Sequence, residues 1–89
     1  QTFIENSTKN CEDLQKASEE KDTQQIAFVA HKMLPMFRQL KAKNVIPIVE
    51  KLEQQHELQL RLKEVLALVK KAIVEVKKLL EALQSEIKA

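Results

Sequence analysis

The fold expected of this chain follows from residues 62–87, LKEVLALVKKAIVEVKKLLEALQSEI. Apolar residues recur in this stretch at alternating spacings of four and three, which is the repeat of a helix with one buried stripe. The stripe consists of Leu62, Leu66, Val69, Ile73, Val76, Leu80, Leu83 and Ile87. Val65, Ala72 and Leu79 widen it on one side, as in a helix that packs against two neighbours in a bundle. We therefore predict a helix over residues 58–87 whose far end packs beside the first helix or projects free.

Two helices with thinner apolar stripes are predicted near the amino terminus. The first covers residues 2–20, and its stripe is Phe3, Ser7, Cys11, Leu14 and Ala17. The second covers residues 22–40, because Asp22 followed by Gln25 is an acidic variant of the capping box that marks a helix start. The predicted buried face of this second helix is Ile26, Val29, Met33, Phe37 and Leu40.

A third, shorter helix is predicted over residues 44–55. Asn44 is a candidate N-cap, and Pro47 falls in the first turn, where its missing N–H costs nothing. The connections between the helices are short, and short connections place sequential helices side by side in opposite directions. We therefore predict an all-α chain that forms an antiparallel up-down four-helix bundle with a long C-terminal helix, as one domain over residues 1–89.

The composition supports the all-α class. The 89 residues include no Gly and only two Pro, and aromatic residues make up 3% of the chain against 44% for hydrophobic residues. Sandwiches and barrels need turn residues and strand residues that are scarce here. A chain of this length is expected to build a single hydrophobic core.

The same composition disfavours several classes of function. No apolar run approaches the roughly 20 residues of a membrane span, and no signal-peptide pattern is present, so a cytoplasmic domain without membrane contact is expected. Nucleic acid is not an expected partner, because Trp and Tyr are absent and the basic residues form no dense stripe. Cys11 falls in an apolar pattern, which favours a buried thiol in a reducing compartment over a redox site. The chain starts at Gln1 rather than Met, which indicates a piece of a longer protein or processing.

One histidine stands out in the second helix, within AHKMLPMF at residues 30–37. At about 100° per residue, His31 lies roughly 140° from the line through the predicted buried face, close to the solvent side. Its neighbours along the helix are apolar, with polar residues at the rim: Ala27, Phe28, Leu34 and Pro35, then Gln24 and Arg38. Isolated exposed apolar residues need no explanation, whereas a contiguous patch marks a docking surface, and both interpretations remain open.

Pro35 lies inside the same predicted helix. Its ring crowds the carbonyl of His31, four residues back, and it has no N–H to donate to that carbonyl. The expected result is a local bend that leaves the carbonyl to water and keeps large side chains off the imidazole. A tolerated kink that only lets the helix wrap its neighbours is the alternative.

The helix offers no second group for a metal site or for a general base, and His56, the other histidine, is expected near the end of the third helix. A metal is therefore not expected. An accessible imidazole can act alone as a nucleophile that carries a covalent group, provided that a partner supplies the remaining chemistry. That chemistry fits a lone, exposed His31.

The segment around His31 resembles a known family, the histidine-containing phosphotransfer (HPt) domains of multistep two-component relays. The match runs through IAFVAHKMLPMF at residues 26–37, LKA at residues 40–42 and residues 46–53. These stretches correspond to the family's A-H-x-x-K-G segment, its following L-G-A, and the L-E that closes the next helix. The chain departs from the family in having Leu34 and Pro35 where the family commonly has Lys and Gly.

The resemblance implies that His31 is the phosphoacceptor, which takes a phosphoryl group from a receiver-domain aspartate and passes it to another receiver aspartate. The domain would have no kinase activity and no cofactor, since the receiver brings the Mg²⁺. Lys32 and Arg38 would offset the phosphoryl charge, and the receiver would dock on Gln24, Ala27, Phe28, Leu34 and Pro35. The expected partners are response-regulator receivers, with the domain monomeric and fused to or cut from a hybrid sensor histidine kinase.

Two other functions remain open at this point. The first is a helical docking or regulatory bundle in which the histidine carries nothing. The second is helical pairing through the long C-terminal seam, which would give a dimer.

Overall fold

The computed structural model of the chain describes the backbone of residues 3–88 and the side chains of residues 5–83. It contains four helices, and no strand occurs within the described residues, so the all-α prediction is confirmed. The helices are α1 (Phe3–Glu19), α2 (Thr23–Gln39), α3 (Ile46–Glu53) and α4 (Leu62–Lys88). No helix within the described residues combines the length and apolar character that a membrane crossing needs.

The first two helices begin and end within one residue of their predicted limits. Helix α2 begins as the capping pattern predicts, because the Asp22 carboxylate accepts a hydrogen bond from the Gln25 N–H at 3.1 Å. The other two helices are shorter than predicted. Helix α4 begins at Leu62 rather than at residue 58, because residues 54–59 form turns.

The start of α3 differs from the prediction in its cap. Val45, not Asn44, is the N-cap residue, and no side chain caps the helix. Asn44 instead lies in the turn that precedes the helix. Pro47 does lie in the first turn, where the absence of its N–H leaves no hydrogen bond unmade.

Three connections are closed by residues in the left-handed backbone region, although the chain has no glycine. Lys21, Lys41 and Gln59 have φ values of 56°, 55° and 55°. Around Lys21, the Asp22 N–H donates to the Ala17 carbonyl and the Lys21 N–H donates to the Ser18 carbonyl, which is the Schellman pattern of helix ends. The same pair of bonds recurs after Lys41 and after Gln59.

Replacing Lys21 or Lys41 with glycine is expected to raise the free energy of unfolding. A left-handed backbone costs a non-glycine residue about 1–2 kcal/mol, and the greater freedom of glycine in the unfolded chain offsets about 0.5–1 kcal/mol of the gain. Urea denaturation should therefore show each variant about 0.5–1 kcal/mol more stable. The control is Lys70→Gly on the exposed face of α4, which should lose about 1 kcal/mol. A loss of stability in Lys21→Gly similar to that of the control would contradict the prediction.

Helix α2 supplies the largest part of the core. Its buried residues are Ile26, Val29, Ala30, Met33, Leu34 and Phe37. Four of the five predicted residues are among them, but Leu40 is exposed, because it follows the last residue of the helix as its C-cap. Ala30 and Leu34 are buried although the sequence pattern left them outside the core face. The buried face is therefore wider than predicted.

The buried line of α4 is rotated relative to the predicted stripe. Its fully buried residues are Val65, Val69, Ala72 and Val76. Leu66, Ile73 and Leu80, which the pattern placed at the centre, are half-buried, and Leu62 is exposed. Val65 and Ala72, predicted only to widen the stripe, are at its centre instead. The side chain of Ile87 lies outside the described residues.

Each helix packs mainly against two others: α1 and α3 both pack against α2 and α4. Helices α2 and α3 run in opposite directions, since Gln55 after the end of α3 bonds to Thr23 at the start of α2, while Glu50 of α3 pairs with Arg38 near the end of α2. Helix α4 has 27 residues, about 40 Å of helix, in a molecule that measures 43 × 22 × 20 Å. Thr8 and Leu80 line one cavity, so the later part of α4 packs beside α1, which was one of the two predicted arrangements.

Gln55, just after α3, is a buried polar residue that the sequence pattern did not single out. Its amide Nε2 donates to the Thr23 carbonyl at 3.0 Å and to the Leu52 carbonyl at 2.9 Å. These bonds join the end of α3 to the start of α2. They hold the two helices that carry the site described below at a defined separation.

Candidate functional site

His31 projects from the outer side of α2, as the sequence predicts. Its side chain is 74% exposed, while Ala30 and Leu34, on the adjacent flank of the helix, are buried. The imidazole therefore lies at the surface of the molecule, within reach of a macromolecular partner. The backbone of His31 is part of α2, and the opposite side of α2 packs into the core.

The imidazole has a carboxylate partner from the neighbouring helix. His31 Nδ1 contacts an Oε atom of Glu53, the last residue of α3. An ionised carboxylate only accepts hydrogen bonds, so the proton of the neutral ring lies on Nδ1 and the lone pair lies on Nε2. Glu53 thus orients the ring and leaves Nε2 as the nitrogen available for chemistry.

Glu53 was not predicted as a partner of His31, although the residue occurs in the L-E pair of the family resemblance. The two residues are 22 positions apart, and no periodicity within one helix connects them. A signal did exist: His31 and Glu53 are equally distant from Ala42 in the connection between α2 and α3. In two helices that run in opposite directions, residues equidistant from the connection face each other.

Of the residues predicted for docking, four reach the surface beside His31 and one does not. Gln24, Phe28 and Pro35 are exposed, Phe28 at 55%, and Ala27 is half-buried. Leu34 is only 1% exposed, so its prediction as part of an exposed patch is wrong. Leu34 is three residues after His31 and four before Arg38, which both contact α3, so it lies on the flank of α2 that faces that helix. We call Gln24, Ala27, Phe28 and Pro35 the docking surface.

The two cations predicted to offset a phosphoryl charge are exposed but engaged with other side chains. Lys32 Nζ lies over the Phe28 ring, 5.6 Å from its centroid, in a cation–π contact. Arg38 Nη2 pairs with Glu50 Oε2 at 3.3 Å. Exposed contacts of this kind contribute about 0–1 kcal/mol, so either side chain can leave its partner at little cost.

Helix α2 continues through Pro35 without interruption. The proline has no N–H to donate to the His31 carbonyl, so the hydrogen bond between these two positions is missing. The proline ring is exposed on the same side as His31. It therefore adds a rigid apolar group to the docking surface, at the cost of one helical hydrogen bond.

Pro35→Ala is expected to stabilise the fold by about 1–2 kcal/mol. The substitution restores the hydrogen bond to the His31 carbonyl, and the gain is smaller than the full cost of about 3 kcal/mol in an unadapted helix, because α2 already accommodates the ring. Thermal unfolding followed by circular dichroism measures the change. Gln39→Ala, at an exposed position of α2 with its N–H intact, is the control and should change stability by less than about 0.5 kcal/mol. An unchanged melting temperature in Pro35→Ala would show that the missing bond costs nothing here.

The remaining reactive groups lie away from His31. His56 is exposed in the turn after α3. Cys11 of α1 is buried, as predicted, and lies beside α4; burial raises the pKa of its thiol, an effect that nearby Lys77 partly offsets. Within the described residues, no three His, Cys, Asp or Glu side chains are arranged to hold a metal ion.

Comparison of the chain with protein-family models, with curated proteins and with solved structures finds no match. The function proposed below is therefore inferred from the residues of this chain and from their arrangement.

Proposed function

We propose that the chain is a phosphorelay intermediate, a histidine-containing phosphotransfer domain that accepts a phosphoryl group on His31. The observation that carries the proposal is the exposed His31 imidazole with Glu53 on Nδ1. This arrangement leaves Nε2 as a nucleophile at the surface, without an enclosing pocket. A carrier that a larger partner must reach needs this exposure, whereas an independent enzyme needs a cleft with further catalytic groups.

In the proposed transfer, the lone pair of His31 Nε2 attacks the phosphorus of a receiver's aspartyl phosphate. The N–P bond forms as the P–O bond to the aspartate breaks, and the electron pair stays on the aspartate carboxylate. The ring, still protonated on Nδ1, becomes positively charged, and the Glu53 carboxylate stabilises that charge. The receiver supplies Mg²⁺, and the chain has no kinase activity of its own. Transfer to a second receiver aspartate is the reverse of this step.

The docking surface supports the same proposal. Phe28 and Pro35 are rigid apolar groups close to the imidazole, and Gln24 is a polar residue at their rim. A receiver that covers them excludes water from the phosphoryl group during transfer. Lys32 and Arg38 then have a role as counter-charges, since a phosphoryl group adds nearly two negative charges and can draw them from Phe28 and Glu50.

The arrangement proposed for the domain is an up-down four-helix bundle that acts as a cytoplasmic monomer, alone or as part of a hybrid sensor histidine kinase. Each helix packs mainly against two others, and the residues that join α2 to α3 run in opposite directions, which supports this topology. The buried side of α2 packs into the core and holds the helix in place, so that the outer side of α2 presents His31.

The experiment is incubation of the chain with receiver domains carrying a ³²P-labelled aspartyl phosphate. The expected result is label on the chain that is lost in acid and retained in base, as for a phosphorylated imidazole. Label that withstands acid would place the phosphoryl group on a hydroxyl and contradict the proposal. Absence of label with all receivers of the source organism would also contradict it.

Removing the Glu53 carboxylate is expected to slow phosphoryl uptake. Glu53→Ala should reduce the rate on the order of 10- to 100-fold, because the ring loses both its orientation and its counter-charge. Glu53→Gln should lose less, since the amide oxygen still accepts the hydrogen bond from Nδ1. Rapid-quench measurement of the label separates the two variants. Glu50→Ala, which removes the Arg38 pair one turn away, is the matched control, and equal rates for Glu53→Ala and Glu50→Ala would contradict the role of Glu53.

A docking or regulatory bundle that carries no phosphoryl group is the second candidate. It is favoured by Leu34 and Pro35, which replace the Lys and Gly of the family segment, and by the exposed Phe28, which can bind a partner whether or not His31 reacts. This candidate predicts receiver binding that His31→Gln leaves unchanged, together with no label from any receiver. The same labelling experiment therefore separates the two functions.

A further inference from the structure

A second surface of the molecule is strongly basic. Two adjoining cavities of about 490 and 480 Å³ lie between the α2–α3 connection, α3 and α4, and they share Lys43, Asn44 and Glu75. Five lysines line them: Lys41, Lys43, Lys51, Lys71 and Lys78. We call this surface the basic cleft. Lys51 of α3 lines the basic cleft, whereas Glu50 and Glu53 of the same helix contact α2. The basic cleft and the His31 site therefore lie on opposite flanks of α3.

Most of this positive charge has no counter-charge within the described residues. Glu75 is the one acidic residue that lines the basic cleft, and it pairs with Lys78 at 3.3 Å. The other four lysines take part in none of the described ion pairs. Like charges gathered on one surface repel each other and oppose folding. Their concentration is therefore not explained by stability, and it suits the binding of an anion.

The lining of the basic cleft favours a protein segment over nucleic acid. Its floor is apolar, with Val45 and Ile48 buried and Leu68 and Leu79 half-buried. Neither Phe28 nor Phe37 lines the basic cleft, and the chain has no Trp or Tyr, so the described residues offer no ring there on which a base could stack. A protein segment whose acidic side chains reach the lysines and whose apolar side chains contact the floor of the basic cleft matches these features.

We propose that the basic cleft docks an acidic amphipathic segment of a partner protein, independently of the His31 site. Acidic side chains of the segment pair with Lys43, Lys51 and Lys71, while its apolar side chains lie against Leu68 and Leu79. Because the charges are complementary, they raise the association rate, and binding weakens as salt increases. The basic cleft thus holds the partner protein while His31 remains accessible.

The test uses a fluorescein-labelled helical peptide with glutamates on one face and leucines on the other, and fluorescence anisotropy as the readout. Lys43→Glu combined with Lys71→Glu should weaken binding about tenfold or more, by loss of two charge pairs and addition of two repulsions. The control, Lys9→Glu combined with Lys16→Glu on exposed positions of α1, changes the net charge equally and should weaken binding by about twofold or less. Circular dichroism shows whether each double variant is folded.

Equal losses in the two double variants would overturn the proposal, because the effect would then depend on net charge alone. Tighter binding of a single-stranded oligonucleotide or of anionic phospholipid vesicles, lost in Lys43→Glu with Lys71→Glu, would also overturn it in favour of another partner class. If the double variant unfolds, the peptide is titrated into the unmodified chain and the amide chemical shifts are measured. Shift changes confined to the basic cleft support the proposal, and shift changes elsewhere contradict it. His31→Gln should bind the peptide normally, so failure here is distinguishable from failure of the phosphorelay proposal.

Discussion

His31→Gln is expected to abolish phosphoryl uptake from every receiver. A glutamine amide has no lone pair of comparable nucleophilicity, so no N–P bond forms and the label stays on the receiver. The fold should be preserved, because the exposed imidazole makes no core contact and the glutamine amide can still donate a hydrogen bond to Glu53. The expected change in the free energy of unfolding is less than about 1 kcal/mol, the value of an exposed pair.

His56→Gln is the matched control, since His56 is the other histidine of the chain and is also exposed. It should take up label at the unmodified rate. Label that persists in His31→Gln and disappears in His56→Gln would transfer the assignment to His56. Label that persists in both variants would show that a different residue is modified.

The second large effect is expected in the core. Phe37→Ala should lower the free energy of unfolding by about 3–5 kcal/mol, because the ring is 0% exposed and its removal leaves a cavity that the surrounding helices fill only in part. Domains of this kind are stable by about 5–15 kcal/mol in total, so the variant should be near its unfolding midpoint under mild conditions. Urea denaturation followed by circular dichroism gives the value.

Phe28→Ala provides the same substitution on the outer side of the same helix. Phe28 is exposed, so its removal should cost less than about 1 kcal/mol, the loss of its cation–π contact with Lys32 included. Receiver binding should weaken in Phe28→Ala, although the fold is intact. Similar losses of stability in the two variants would contradict the distinction between the core side and the outer side of α2.

Features that depend on neighbouring residues in the chain could be predicted well. The Asp22 cap places the start of α2, and its hydrogen bond to the Gln25 N–H involves residues three positions apart. The solvent side of α2 follows from the helical repeat, so the exposure of His31 was correct. The ends of α1 and α2 were predicted to within one residue, although Lys21 and Lys41 occupy left-handed positions where glycine is the usual signal.

Features that depend on how helices approach each other were predicted poorly. Leu34 and Val65 are buried because neighbouring helices cover the flanks on which they lie, and a periodic pattern gives neither the full width nor the exact centre of the buried stripe. Leu40 has the right spacing for the buried face of α2, but it falls after the last helical residue. Burial of these residues is a property of the packed helices and not of the stripe alone.

The helical class, the extents of α1 and α2 and the outward direction of His31 follow from local sequence, because short-range hydrogen bonds and the helical repeat act within a few residues. Only the tertiary structure brought Glu53 to His31 Nδ1, 22 positions along the chain, and gathered the lysines of the α2–α3 connection, α3 and α4 into one cleft. The physical reason is that both contacts depend on the side on which one helix packs against the next. That choice depends on the fit of all four helices around the shared core, which no single segment specifies.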